Sequence, residues 1–468
     1  MAPARTLAAI GLLLLAGRVA AAEASPRTLA LAAGYKAAFL CSGIFTAGQS
    51  EAQVTADDLN GIYPEYQPFI AALPASIDPA AHTVSVRFDA KLPPRIAAWR
   101  PLLGCAQLPI GAADTKVIPR LTPDFKTPSL AVVDSASWPL GDARAMARLP
   151  RRTATALDAV VAKAFDGQSF GSAGTGATTA VIVLKDGKIV AERYRTGYDS
   201  HTPQRTWSVA KSLTATLVGR AAALGRIDIT APAPIPEWQK PGDPRAAITT
   251  EQLIRLNSGL WTNGPGNRTD AVYLGGTSVA ETAAAVPLDA APGSHFNYAN
   301  NDFMLAAYAV ETAIGDGALG FPFTQLLWPL GMTRTTPETD WRGHFVLSSQ
   351  VWMTARDLAR LALLYANDAL GPGAQPPLPP GWVTAATTPT GAQPPAAGKR
   401  GYGAGLWLFG PANDLPAGTY AMLGNRGQFA VVVPQRRIIV VRRGFDGTDG
   451  TIDPTAFTRA VLAALPAS

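Results

Sequence analysis

Histidine and cysteine are scarce in this chain, with four His and two Cys among 468 residues. No C-x-x-C or H-E-x-x-H spacing occurs, so no metal site and no cofactor are expected. Charge is thin as well. Only 16 % of residues are charged, against 47 % hydrophobic, a balance that buries enough apolar surface to offset ordering entropy and excludes disorder as the main theme. Lys and Arg outnumber Asp and Glu by 40 to 34, giving a net charge of +6. The excess is scattered, with no run longer than Arg151-Arg152, Arg436-Arg437 or Arg442-Arg443. Nucleic acid is therefore not an expected partner. The length allows two or three domains, or one large α/β unit with an appendage.

The chain starts with one basic residue, Arg5, an apolar stretch from Leu7 to Gly17, and the small residues Ala20-Ala21-Ala22 before Glu23. This order predicts a secretory signal over residues 1–22, because the apolar run is short for a bilayer span. A buried helix and an uncleaved anchor are the competing readings. A secreted, periplasmic protein with no stable membrane insertion after signal removal follows. In that oxidising space Cys41 and Cys105 can pair; the alternative is two buried thiols.

Residues 23–150 read as a loop-rich, Pro-punctuated N-terminal extension or small cap, with a helix near Leu29 to Phe39 and a strand at Thr83 to Phe88. Its role is not legible. A helical pattern follows at Thr155, Leu157, Val160, Val161 and Phe165. Strands are expected at Ala180 to Leu184 and Lys188 to Tyr194, joined by the hairpin pair Asp186-Gly187. After a helical, loop-rich stretch from Trp207 to Trp328 come strands at Gly405 to Phe409, Phe429 to Val433 and Ile438 to Arg443. A closing helix covers Pro454 to Leu465. This order predicts an α/β (α+β) fold: an antiparallel sheet flanked by N- and C-terminal helices, with an inserted all-helical lobe, over residues 151–468.

Two serine motifs compete. Gly167-Gln168-Ser169-Phe170-Gly171 matches G-x-S-x-G, but no strand precedes it and a flexible string follows, so it reads as a linker. Ser208-Val209-Ala210-Lys211 opens an apolar helical pattern that ends at Gly225. Ser208 could simply cap that helix. The i, i+3 spacing, however, lets Lys211 reach the Ser208 hydroxyl, and a lysine buried near a helix N-terminus loses its charge easily. The same N-terminus offers the Ser208 N–H to an oxyanion. Tyr298, in Phe296-Asn297-Tyr298-Ala299-Asn300, could shuttle protons if a neighbouring lysinium lowers its pKa. Tyr365-Ala366-Asn367 repeats the triplet on an amphipathic helix, where packing is the expected role.

Trp207-Ser208-Val209-Ala210-Lys211-Ser212, Asn257-Ser258-Gly259-Leu260-Trp261, Pro292-Gly293 with Phe296 to Asn300, Pro329-Leu330-Gly331-Met332 and Thr354 to Arg360 together resemble the penicillin-recognising serine hydrolases: serine β-lactamases, D,D-peptidases, and related esterases and 6-aminohexanoate-dimer hydrolases. The resemblance spans about Arg152 to Leu465. It implies Ser208 as acylated nucleophile, Lys211 and Tyr298 as the proton-handling pair, and Asn300 as partner of Lys211 and the substrate carbonyl. Where many relatives carry Lys-Thr-Gly or His-x-Gly, this chain has Asn425-Arg426-Gly427-Gln428. Gly427 would let the strand approach substrate, and the Gln428 N–H would be the second oxyanion donor. Arg426 is either a substitute cation or a solvated edge charge. Loss of the lysine favours a small amide or ester substrate over a β-lactam, and the motifs look most like the 6-aminohexanoate-dimer hydrolase branch.

His295, three residues before Tyr298, could touch substrate, but reads first as a hydrogen-bonded or solvated loop residue, and His82, His201 and His344 show no acidic partner at telling spacing. Trp207, Trp261, Trp352 and Trp407 could line an apolar pocket, with core packing the default for each. Asn267-Arg268-Thr269 is a glycosylation sequon by pattern alone. A carboxylesterase and a D,D-peptidase or weak β-lactamase are same-class alternatives; a non-catalytic binder of cell-wall fragments is the alternative from another class. Oligomeric state is not legible.

Overall fold

The computed structural model describes residues 24–122, 125–171, 177–262, 269–366, 377–394, 400–447 and 450–466. The expected signal stretch and the Asn267 sequon lie outside the described residues. Helix α1 (Pro26–Cys41) begins at Ser25, whose side chain accepts the Thr28 N–H, and α2 (Glu51–Asp57) begins at a Ser50/Gln53 capping box. The stretch expected to be loop-rich then forms a four-stranded antiparallel sheet: β1 (Ala75–Asp78), β2 (Thr83–Val86), β3 (Arg95–Arg100) and β4 (Gly104–Gln107). The strand expected at Thr83 to Phe88 is β2; β1, β3 and β4 have only four to six residues, too short to show a clear period in sequence.

α1 packs on β2 and β3, and Cys41 at its end is disulfide-bonded to Cys105 in β4. The helical run Pro26–Thr46 is long and apolar enough to cross a membrane, with a mean hydropathy of 1.4, yet 72 % of its apolar window is buried in the protein. Leu31, Tyr35 and Phe39 share one core cluster with Trp207 and Leu213. The N-terminal segment is thus packed into the body of the molecule.

The second part contains α3 (Arg151–Lys163), β5 (Thr178–Lys185), β6 (Lys188–Tyr194), β7 (Gln204–Arg205), α4 (Val209–Ala223), α5 (Asn300–Ile314), β8 (Thr336–Pro337), β9 (Val351–Met353), α6 (Ala355–Ala366), β10 (Gly401–Tyr402), β11 (Trp407–Phe409), β12 (Thr419–Gly424), β13 (Gln428–Val433), β14 (Ile438–Gly444) and α7 (Pro454–Ala464). Seven strands form one antiparallel sheet in the order β10-β11-β12-β13-β14-β5-β6, so the last strand pairs with the first hairpin. Asp186 and Gly187 both have positive φ, 51° and 75°, as a tight hairpin of this twist requires.

Both sheet faces are covered. Val181, Val183, Val431 and Val440 pack with Leu157 and Val161 of α3 and Phe457 and Val461 of α7. Ile182, Leu184, Val432 and Val441 join Leu213 and Leu217 of α4 and Leu358 and Leu361 of α6. Burial on two faces explains the unbroken apolar runs of β5, β13 and β14. The fold is therefore the antiparallel sheet between terminal helices, with a helical lobe containing α4 and α5, that the sequence predicts. Strand β12 was not legible in the sequence. Strand β7 of the three-stranded sheet β7-β9-β8 lies directly before α4 in the chain, and the Thr206 N–H donates to Val351 O at 2.8 Å, fixing the approach to Ser208.

Candidate active site

Trp207 has φ = 51°, a left-handed conformation uncommon for a bulky residue. The Arg205 guanidinium holds its ring from 3.9 Å and also lies 4.5 Å from the Phe39 ring of α1. The turn places Ser208 at the N-terminus of α4. Its side chain makes no capping bond, which removes the purely structural explanation for a serine here. Instead the Ser208 Oγ accepts from Lys211 Nζ at 3.1 Å.

Lys211 is 1 % exposed. It also donates to Asn300 Oδ1 at 2.6 Å and to Ser348 O at 3.0 Å, so its nitrogen is aimed by three acceptors. Burial lowers its pKa to about 7, opposed by the Asp302 carboxylate. Asp302 lies on α5 and is buried, which pushes its own pKa up to about 7 against the pull of Ser258 hydrogen bonds. Sequence reasoning missed Asp302; the Asn257-Ser258-Gly259 motif was its trace, since Ser258 is what holds it.

Tyr298 is part-buried at the cleft wall, which it lines together with Ser208. The expectation of a lowered phenol pKa needs correction. Lys211 Nζ lies 5.0 Å from the Tyr298 ring centroid, and desolvation dominates, raising the phenol to about 12. The titration near neutral pH therefore belongs to Lys211 and the Asp302 carboxyl coupled to it, not to Tyr298. Tyr365, by contrast, is buried and shares a 3.0 Å hydrogen bond with Thr216, a packing role. Ser169 of the decoy motif bonds Asp166 at 2.7 Å in a turn after α3.

The third motif departs from its expected roles. Arg426 is 6 % exposed, neither a solvated charge nor a free cation. Its Nε donates to Asp446 O at 3.0 Å, and its Nη2 to Phe445 O at 3.0 Å and Asn60 O at 3.1 Å, while Nη1 donates to Asp57 O. Gly427 is required for a different neighbour than substrate: φ is 75°, and a Cβ there would lie 1.7 Å from Arg442 Nη1. Arg442 pairs with Asp446 beneath it, both fully buried. The close approach to the turn that carries Ser208 is made by Gly424, where a Cβ would meet Thr206 O at 2.3 Å and Val209 N at 3.2 Å. The Gln428 N–H already donates to Asn425 O, so it is not free for an oxyanion. The Gln428 side chain is buried too, accepting from Arg443 Nε at 2.7 Å.

A cavity of about 550 Å³ joins these elements. Ser208, Tyr298, Asn300 and the stretch 424–428 line it, and so do Trp207 and Trp407. These two tryptophans thus take the pocket-lining role, and Trp207 belongs to the core cluster as well. Trp352 is buried, but Trp261 is 46 % exposed. The cleft also includes Arg400, whose guanidinium lies 5.0 Å from the Trp407 ring, and two residues from the N-terminal segment, Ile62 and Tyr63.

The histidines gain partners that spacing did not reveal. His344 Nδ1 is 2.9 Å from Glu311, and His201 Nε2 is 3.1 Å from Asp142. Among the described residues Asp134, Asp142 and His201 are close enough to share a metal. Arg334 grips Asp134 through two bonds of 2.7 and 2.8 Å, and Arg360 holds Asp142 at 2.7 Å; the positive charge is already supplied. None of these groups lines the cleft.

A family model described as Beta-lactamase matches residues 167–442. A candidate 6-aminohexanoate-dimer hydrolase from Bacillus anthracis is similar in structure, with 21 % identity, a TM-score of 0.52, and 61 % of this chain and 78 % of that one covered. EstCE1, described as a hydrolase with promiscuous acyltransferase activity, has 15 % identity and a TM-score of 0.52, covering 67 % and 98 %. A penicillin-binding protein homologue from Caulobacter crescentus has 17 % identity and a TM-score of 0.52, covering 68 % and 99 %. No curated protein matches in sequence. With a match across more than half of its length, over the stretch that holds Ser208, Lys211 and Tyr298, this chain belongs to the β-lactamase family of serine hydrolases.

Proposed function

We propose that the protein cleaves a small amide or ester through an acyl-enzyme on Ser208. The observation that carries this reading is the 3.1 Å contact between Ser208 Oγ and a lysine whose pKa burial has lowered to about 7. Neutral Lys211 takes the Ser208 proton as Oγ bonds to the carbonyl carbon. The Ser208 N–H, at the positive end of α4, stabilises the oxyanion. As the bond to the leaving nitrogen or oxygen breaks, the Lys211 ammonium supplies its proton, with the Tyr298 hydroxyl as bridge. Water then attacks the acyl group by the same route and releases the acid.

Arg426 is occupied by backbone carbonyls, so it does not replace the lysine that would hold a β-lactam carboxylate. Among the described residues of the cleft there is no Asp or Glu, which favours a neutral amide or ester over one with an ammonium group beside the scissile bond. This preference separates the chain from the amine-bearing substrate of a 6-aminohexanoate-dimer hydrolase, although the site motifs resemble that branch. Export to the periplasm fits the bonded Cys41 and Cys105. Intact-mass measurement after treatment with a fluorophosphonate tests the nucleophile: one adduct, mapped to Ser208, supports the reading, and none favours a non-catalytic binder. Nitrophenyl esters, a linear amide dimer and a chromogenic cephalosporin, assayed side by side, separate esterase, amidase and peptidase or β-lactamase activity.

A further inference from the structure

The cleft has a wall that lies outside the stretch matched by the family model. Ile62 and Tyr63 belong to the loop after α2, more than 140 residues before the nucleophile, yet they line the same cavity as Ser208 and Trp207. Both are nearly buried, at 9 % and 7 % exposure, so their remaining surface faces the cavity they line.

The loop is held from three sides. Tyr35 of α1 donates to Asp58 O at 2.8 Å and stacks edge-on against Tyr63, with centroids 4.9 Å apart. Asp57 receives Arg195 at 2.5 Å and the Tyr198 hydroxyl at 2.7 Å, which anchors the loop to the body of the protein. Arg426, next to the strand end that faces Ser208, holds the carbonyls of Asp57 and Asn60. Tyr63, Tyr35, Phe39 and Trp207 then follow one another as ring contacts of 4.9, 4.7 and 6.1 Å. A side chain that ends such a chain cannot swing away without disturbing the residue that precedes the nucleophile, so the wall is rigid.

We propose that Ile62 and Tyr63 are specificity-determining residues: they form a fixed apolar wall that limits how large an apolar group of the substrate the cleft accepts. The class of substrate is therefore an amide or ester with a compact apolar group rather than a long acyl chain. This inference rests on Ser208 being the nucleophile of the proposed hydrolase.

The test labels the full-length protein with two fluorophosphonates, one bearing a methyl and one an octyl group, and reads the octyl-to-methyl ratio of labelling rates on Ser208. Variants Tyr63→Ala and Ile62→Ala should raise that ratio by about tenfold or more, the scale on which apolar pockets discriminate by size. Ile62→Trp should lower it, so that general loosening of the fold cannot produce both results. Melting temperatures and labelling by the methyl probe identify the variants that remain folded. Labelling of Ser208 with the same ratio in all folded proteins overturns the inference and leaves the hydrolase reading standing. Failure of the methyl probe to label Ser208 in the wild-type protein overturns the hydrolase reading, and this inference with it.

Discussion

Lys211 lies one helical turn beyond Ser208 and donates to its Oγ at 3.1 Å, while Asn300 Oδ1 accepts from the same nitrogen at 2.6 Å. The helix fixes the reach of the lysine, and the start of α5 fixes its direction. A nitrogen held in this way, buried and with its pKa lowered to about 7, is equipped to take a proton near neutral pH.

The pH dependence of kcat/KM should follow Lys211. Only the neutral amine can accept the Ser208 proton, so kcat/KM should rise with pH, with a midpoint near 7, and then level off. Tyr298, raised to about 12, should add no titration in the neutral range. Lys211→Ala should cost about 10²- to 10⁴-fold, the usual contribution of a positioned base. A profile that is flat from mildly acid to mildly basic pH would assign the proton to another group.

Ser208→Ala should abolish turnover, with a loss on the order of 10⁴-fold or more, while the fold survives. Because Ser208 makes no capping bond, the variant should not incur the roughly 1 kcal/mol cost of a lost helix cap. Calorimetry alongside rate measurements checks both halves. Tyr298→Phe keeps the ring that lies 5.4 Å from Trp407 but removes the hydroxyl, so kcat should fall by more than KM rises.

Arg426→Ala should destabilise the protein, because it strips donors from the carbonyls of Asp57, Asn60, Phe445 and Asp446, groups that cost about 1–3 kcal/mol each when buried and unpaired. A lower melting temperature and faster proteolysis within the N-terminal segment are the expected signs. A substrate cation would instead give an unchanged melting temperature and a raised KM.

Stability should also report Asp58, a fully buried carboxylate whose two oxygens have no hydrogen-bond partner among the described residues. Burial raises its pKa to about 7. Between the ordinary carboxylate range and pH 7 the folded state holds a proton that the unfolded state has released, so this group's contribution to stability falls as pH rises through that window. Asp58→Asn should therefore raise the melting temperature at pH 8 more than at pH 5. An equal shift at both values would show that the carboxyl is ionised throughout.

The sequence by itself determined the elements whose signal is local. The Ser208-x-x-Lys211 helix, the Asp186-Gly187 hairpin, strands β5, β13 and β14 and the closing helix all follow from side-chain period and turn chemistry, which neighbouring residues specify together. The short motifs also pointed to Tyr298 and Asn300. Strand β2 was legible too, but β1, β3 and β4 are too short to carry a period, and their sheet is held by packing against α1 and by the Cys41–Cys105 bond.

Only the tertiary structure decided which group titrates, because desolvation depends on what packs around Lys211, Asp302 and Tyr298 rather than on their sequence neighbours. It also made Arg426, in sequence either a substitute cation or a solvated edge charge, into a clasp, and Gly427 into space for the Arg442–Asp446 pair. Tyr63 reached the cleft for the same physical reason. A pKa or a cavity wall is set by atoms brought together across long stretches of chain, and local sequence carries no record of that meeting.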